Sequence, residues 1–391
     1  MIFFLIRLAF SDRYAILFAG SSKFKNYRHQ ADIYTIYNQL LVRGFTPENI
    51  GLYAYDDIAT DPRNPFIGQV FHSIDHKINV YPGSDAINVK GDDVTPESFY
   101  DAITKLPTTS NDYVFIYYDN HGGNGILGTP DIYKDIMAVE LAECFNKASS
   151  SNLFKKCLFF IEACYSGSTG KLLTAPNLAT ITASMYNESS YSAIYDEVIG
   201  TYISNEFTNN FITHIDQEPS ITIGELYQYL QKNTERSHTC YFGDESIQSI
   251  SLSDFIGTPS KILTHPVNKA DIKAVKPSEA TEITLKFLSK HKKASIRALA
   301  RIEILRLKAQ TEKLDTVLEM LVKYVDPKNY DKIMNEKQAD LSPVYFDVLK
   351  IFREKFGEIN PDDLGKLGVL ASLATSHTKA EIVQGIFAVV F

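Results

Sequence analysis

The chain has 391 residues, more than one ordinary hydrophobic core accommodates, so two domains are expected. A composition 45% hydrophobic and 22% charged is that of a globular protein and excludes a disordered or membrane-embedded chain; no apolar run reaches bilayer-spanning length. The net charge of −8 is split unevenly: residues 1–260 carry 17 Lys and Arg against 30 Asp and Glu (−13), and residues 261–391 carry 22 against 17 (+5). A basic body thus follows an acidic one, and the acidic part disfavours nucleic acid as a partner.

Residues 1–11 are apolar but short and read as a secretory signal interrupted by Arg7, with a first strand or a frayed terminus as the alternative. Residues 14–19 form a continuous apolar run closed by Gly20, the pattern of a strand buried on both faces of a parallel sheet. Ile33, Ile36, Tyr37, Leu40 and Leu41 predict a helix over 30–43 that Gly44 stops. Residues 50–55 give a second strand, and residues 94–103 a helix capped by Thr95 with Pro96 in its first turn. A third strand (113–118), a helix (about 137–146) and a fourth strand (157–162) follow. Such alternation over residues 12–256 predicts an α/β fold, a mostly parallel sheet with helices on both faces.

Pro259, Pro266 and Pro277 punctuate residues 257–278, which read as a linker or extended arm. From residue 279 to 391 the periodicity is helical throughout: Ile283 and Phe287; Ile296, Leu299, Ile302, Ile304 and Leu305; Leu314, Val317, Leu318 and Leu321; then helices centred on 348–352, 364–374 and 380–389. This predicts a small all-α domain at the C-terminus.

Four cysteines, Cys144, Cys157, Cys164 and Cys240, are too few and too scattered for a disulfide framework or a C-x-x-C zinc site, so no metal and no cofactor is expected. One of them stands apart. The third strand runs into Asp119-Asn-His121-Gly122-Gly-Asn-Gly125 and the fourth into Glu162-Ala-Cys164-Tyr-Ser-Gly-Ser168. Ligands of open α/β sheets bind at the carboxyl ends of the strands, and neighbouring strands lie about 5 Å apart, so adjacency would bring His121 and Cys164 into one site. A thiolate there can attack a peptide carbonyl while the imidazole protonates the leaving amine. Glycines after His121 admit close approach of a substrate, and their N–H groups with that of Cys164 can hold the oxyanion. Taken singly, His121 is more simply a loop histidine and Cys164 a buried strand-end thiol; their joint placement favours the site.

These residues resemble the clan of cysteine peptidases that includes caspases, gingipains and legumains. The segments Asn26-Tyr-Arg28-His29-Gln-Ala-Asp32, Tyr55-Asp-Asp57, Asn64-Pro65, Asp93-Val-Thr-Pro96, Ile161-Glu-Ala-Cys164 and Glu188-Ser-Ser-Tyr191 are similar, in order, to the legumain (asparaginyl endopeptidase) family from about Tyr14 to Phe242. The helical part is similar to the legumain propeptide only in length and pattern. The resemblance implies a caspase-like sheet and a cysteine endopeptidase cleaving polypeptides after Asn, and after Asp at acid pH, made as a zymogen held by its C-terminal prodomain. It implies Cys164 as nucleophile, His121 as general acid and base, Asn26 orienting the imidazole and Gly122 lining the oxyanion hole. Arg28, His29, Glu162, Ser189 and Asn205 fall on substrate-pocket positions; alone, Arg28 and Glu162 read as a structural ion pair. It also implies the secretory route to an acidic lysosome- or vacuole-like compartment, or to the outside or surface of the cell.

Three departures qualify the match. Asn205 and Asn120 stand where the family usually has Asp, and no Cys follows Cys240 to form propeptide disulfides. The turn His121-Gly-Gly-Asn-Gly125 is similar to that of the GPI-anchor transamidase catalytic subunit, an alternative reading; a catalytically inactive binding or adhesion protein is the other. Asn268 is the only asparagine in residues 257–324 and is the expected self-processing site, with Asp271 as its acid-pH counterpart.

Overall fold

A computed structural model describes residues 12–390 except 219, 262, 264–271, 337 and 339. The proposed signal at residues 1–11, Asn268 and Asp271 lie outside the described residues. Seven strands form the central sheet: β1 (Arg13–Ala19), β2 (Ile50–Ala54), β3 (Val89–Lys90), β4 (Tyr113–Asp119), β5 (Lys156–Glu162), β6 (Leu178–Thr182) and β7 (Cys240–Gly243). Their order is β7-β6-β5-β4-β1-β2-β3, parallel except for the β7–β6 pair. Alternate residues of the inner strands enter different cores. Ala15, Leu17, Phe115, Tyr117, Leu158 and Phe160 pack on one side, and Ile16, Phe18, Val114, Ile116, Phe159 and Ile161 on the other. That two-sided burial is why these strands read as unbroken apolar runs.

Helices α1 (Tyr27–Val42), α2 (Pro96–Thr104), α3 (Ala138–Ser150), α4 (Glu206–Gln217) and α5 (Ile223–Asn233) cover the sheet. The Thr95 hydroxyl accepts the Ser98 N–H at 3.1 Å and the Ser98 hydroxyl accepts the Thr95 N–H at 3.0 Å, a reciprocal cap that starts α2. Strands β3, β6 and β7 escape the sequence reading because they are short and lie toward the sheet edges, where Thr and Gly replace the apolar run.

The C-terminal part is helical: α6 (Pro277–Leu288), α7 (Ala294–Val325), α8 (Pro343–Phe356) and α9 (Lys379–Val389), with a 3-10 turn over Pro361–Leu367 before a short helix. Part of the expected linker is instead a strand, Ile272–Val275, antiparallel to Ser192–Asp196. The apolar positions at the start of α7 divide in two: Ile296, Ala300 and Leu307 are buried, but Leu299, Ile302 and Leu305 face outward. The helical bundle packs directly on the α/β body. Leu288 and Ile296 join the body's core, and Ile126 and Met137 join that of the bundle. Interdomain ion pairs run both ways, Arg353–Asp135 (2.7 Å) and Lys350–Glu140 with the base on the helical side, Lys25–Asp362 (3.7 Å) and Lys171–Asp340 (2.6 Å) with the acid there.

Candidate active site

Strands β4 and β5 are neighbours, with Asp119 opposite Glu162. Two residues beyond each, His121 and Cys164 line one small opening together with Gly122, Tyr165 and Ser189. The Asn26 amide donates to the Ser22 carbonyl at 2.9 Å, which leaves Oδ1 to accept from His121 Nε2, also at 2.9 Å. This fixes the imidazole tautomer and turns Nδ1 toward the opening. The thiol of Cys164 lies 3.8 Å from the Ser190 carbonyl and 3.9 Å from its hydroxyl. Burial pushes the thiol pKa up, which favours its protonated form. Gly122 has no room for a side chain: a Cβ there would sit 2.5 Å from the Cys164 carbonyl oxygen.

Beneath this pair is a buried polar cluster. Arg28 Nε donates to Asn205 Oδ1 at 2.9 Å. Asn205 Nδ2 donates to Asp32 Oδ2 and Asp119 Oδ1, both at 3.0 Å, and Asp32 Oδ1 lies 2.6 Å from His72 Nε2. Glu162 Oε2 accepts from the Thr208 N–H and hydroxyl at 3.3 Å. Burial and then the charge of Asp32 push Glu162 up to about 8. Burial, Asp32 and Glu162 hold Asp119 well above the carboxylate range. Burial and neighbouring charge thus favour the protonated forms of Glu162 and Asp119. His29 stands edge-on to the His121 ring at 5.1 Å, with Nδ1 2.7 Å from the Ser21 hydroxyl. Burial, followed by Arg28, keeps it neutral.

The structure thus brings His121, Cys164, Gly122, Asn26, Arg28, His29, Glu162, Ser189 and Asn205 into one region. Sequence reading missed Asp32, Asp119, Ser190, Lys25 and Asp362. Asp32 and Ser190 sit within quoted motifs and were open to discovery; Asp362 comes from the helical part, with no sequence signal linking it to the site.

Asp362 lines the same opening, beside Lys276, Pro277, Ser278 and Pro361. Its Oδ1 is 3.3 Å from His121 Nδ1 and its Oδ2 is 3.7 Å from Lys25 Nζ; all three side chains are nearly inaccessible. Burial alone would raise its pKa, but Lys25, His121 and Arg28 outweigh that and bring it below the ordinary carboxylate value. Burial drives His121 down to about 3, against the pull of Asp362 and with the help of Arg28 and Lys25. The turn carrying Asp362 lies close to the site's backbone: a Cβ on Gly123 would meet the Leu364 carbonyl at 2.6 Å, and one on Gly365 the Tyr165 ring at 2.1 Å. Among the described residues no cluster of three or more potential metal-ligating side chains occurs.

Residues 13–258 match the profile of the Peptidase C13 family. A hemoglobinase from Schistosoma japonicum is 29% identical over 96% of this chain and 92% of its own length, so that similarity continues through the helical part. Legumain from Mus musculus is 32% identical over 66% of this chain and 63% of its own. A vacuolar-processing enzyme from Citrus sinensis is 33% identical over 63% and 55%, so the chain spans less than two thirds of these last two relatives. A caspase-1 crystal structure from Spodoptera frugiperda aligns with 65% of this chain and 92% of its own, at a TM-score of 0.39 and 11% identity.

Proposed function

The chain belongs to the Peptidase C13 family of cysteine peptidases, and from that premise we propose that it is an asparaginyl endopeptidase made as a precursor capped by its own helical domain. The observation that carries the reading is the placement of His121 and Cys164 past the ends of adjacent parallel strands, above Arg28 and Glu162. With the opening cleared, the Cys164 thiol passes its proton to His121 Nδ1 as Sγ attacks the substrate carbonyl, and the Gly122 N–H supports the oxyanion. His121 Nδ1 gives that proton to the amine as the C–N bond breaks, then takes one from the water that hydrolyses the thioester and returns it to the departing Cys164 sulfur. Arg28 donates to the side-chain oxygen of a substrate Asn, and Glu162 pairs with its NH₂ group.

An Asp substrate adds a further carboxyl to a pocket where burial already favours the protonated forms of Asp119 and Glu162. It enters as the neutral acid, so Asp cleavage rises as pH falls while Asn cleavage dominates near neutrality. Substitution Cys164→Ala removes the covalent nucleophile and is expected to lower activity about a thousandfold or more. A panel of peptide substrates, with a thiol-reactive peptide ending in Asn as active-site label, tests both statements. Preference for Lys or Arg, or near-normal activity of the variant, would overturn them.

Asp362 supports the capping reading: it covers His121 and faces the catalytic opening. Activation by self-cleavage at Asn268, or at Asp271 in acid, follows from the same specificity and suits an acidic vacuole- or lysosome-like compartment. Mass spectrometry of the precursor held in acid locates the cut. A purified Cys164→Ala precursor processed at the same site and rate would exclude self-cleavage.

A further inference from the structure

The first half of α7 presents a face left exposed among the described residues. Leu299, Ile302 and Leu305 are 65%, 61% and 68% exposed. At 100° per residue they occupy a single arc of the helix surface, turned away from the buried Ile296, Ala300 and Leu307. Large apolar side chains exposed in a row are costly unless something covers them. Cations border this stripe. Lys290, Lys292 and Lys293 are exposed in the turn that enters α7, and Arg301 and Lys308 are exposed along one edge. Two acids of the same stretch are already paired, Glu303 with Arg306 at 2.7 Å and Glu312 with Lys308 at 3.7 Å on the exposed surface. Arg297 is tied to the turn, donating to the His291 and Lys292 carbonyls at 2.8 Å, so the basic turn and the helix form one rigid surface.

We propose that this face binds the surface of an anionic lipid bilayer, with Leu299, Ile302 and Leu305 entering the interface and the five cations meeting the headgroups. Charge complementarity selects this occupant. A short apolar stripe bordered by Lys and Arg on an otherwise polar helix is the pattern of interfacial, not spanning, helices, and clusters of four to eight such cations next to it read as anionic-lipid binding. A second copy of the chain would bring the same five cations against themselves. The net charge of −8 does not forbid the contact, because fields beyond about 8 Å are screened at physiological salt and the local cluster dominates. The surface lies on α7, in the precursor, so the uncut protein would be held peripherally and the attachment would not depend on catalysis.

The test uses the full chain carrying Cys164→Ala, which keeps it whole, in cosedimentation with phosphatidylcholine vesicles with and without about one third phosphatidylserine. Binding to the anionic vesicles, its absence on pure phosphatidylcholine, and weakening by added salt are expected. Replacing Leu299, Ile302 and Leu305 together by Ser is expected to weaken binding at least about tenfold, and Lys290, Lys292 and Lys293 to Gln to weaken it and flatten its salt dependence. All six side chains are exposed, so unaltered thermal unfolding is expected in both variants. No binding to anionic vesicles at low salt overturns the proposal, as does binding indifferent to both variants. A concentration-dependent dimer in sedimentation velocity that the Ser variant abolishes would assign the face to a second copy instead.

Discussion

Asn205 shows how a single side chain adapts a pocket to its neighbours. Its carbonyl takes Arg28 Nε while its amide serves Asp32 and Asp119, an arrangement that a carboxylate cannot reproduce. An Asp at this position would keep Arg28 on one oxygen but turn the other, an acceptor, toward Asp32 and Asp119 in place of a donor. We expect Asn205→Asp to cost about 2 kcal/mol, from the donor lost to Asp32 and a further carboxyl buried in the cluster. The double variant Asp32→Asn with Asn205→Asp exchanges donor and acceptor and should recover much of that loss. Urea unfolding of the three proteins checks this, and a single variant as stable as the parent would show that the cluster tolerates an anion. The site is therefore not short of an acceptor through this departure from the family pattern: Asp32 supplies the charge one residue deeper.

At the scale of elements, the 3-10 turn over Pro361–Leu367 is the part that the capping proposal assigns to holding the site closed. It sets the Asp362 carboxylate between Lys25 and His121 and lays Gly365 against the Tyr165 ring with no space for a Cβ. Substitution Asp362→Ala removes the anion and leaves Lys25 buried without its counter-charge; Gly365→Val keeps the anion but forces the turn off Tyr165. Both precursors should react with the Asn-ended label at neutral pH about ten times faster than the parent, since a loss of about 1.4 kcal/mol in docking gives that factor. Equal labelling rates for all three would mean that the turn does not control access.

For the whole molecule, docking is coupled to pH, with a sign that follows from the shifted groups. His121 is depressed to about 3 chiefly by burial, and the proposed docking favours the neutral imidazole to the extent that it supplies that burial. That contribution is complete above the ordinary imidazole range and is lost as pH falls from there toward 3. Asp362 is also depressed, so its contribution is present above the ordinary carboxylate value and lost only below it, at stronger acid. Asp135 opposes release: burial raises it despite Arg353, which favours docking in acid. The His121 shift is the large one in mild acid and sets the direction. The even two-way split of the ion pairs also shows that release does not rest on the bulk attraction of a basic body for an acidic one. Small-angle X-ray scattering of the Cys164→Ala precursor should show the radius of gyration rising between pH 6 and 4. A constant radius across that range would remove His121 from the release step.

The sequence by itself determined the alternating α/β body, because strands buried on both faces must be apolar throughout and helices between them must repeat every three to four residues. It also determined the chemical pair, since His121 and Cys164 each follow the carboxyl end of such a strand. Only the tertiary structure decided that these two strands are neighbours, that Asp32 and Asp119 share Asn205, and that Asp362 covers the imidazole. Those facts rest on residues 43 to 241 positions apart in the chain, which no local periodicity encodes. The same limit applies to α7. A helical repeat shows which residues share a face, but whether Leu299, Ile302 and Leu305 meet a core or solvent depends on what packs beside the helix.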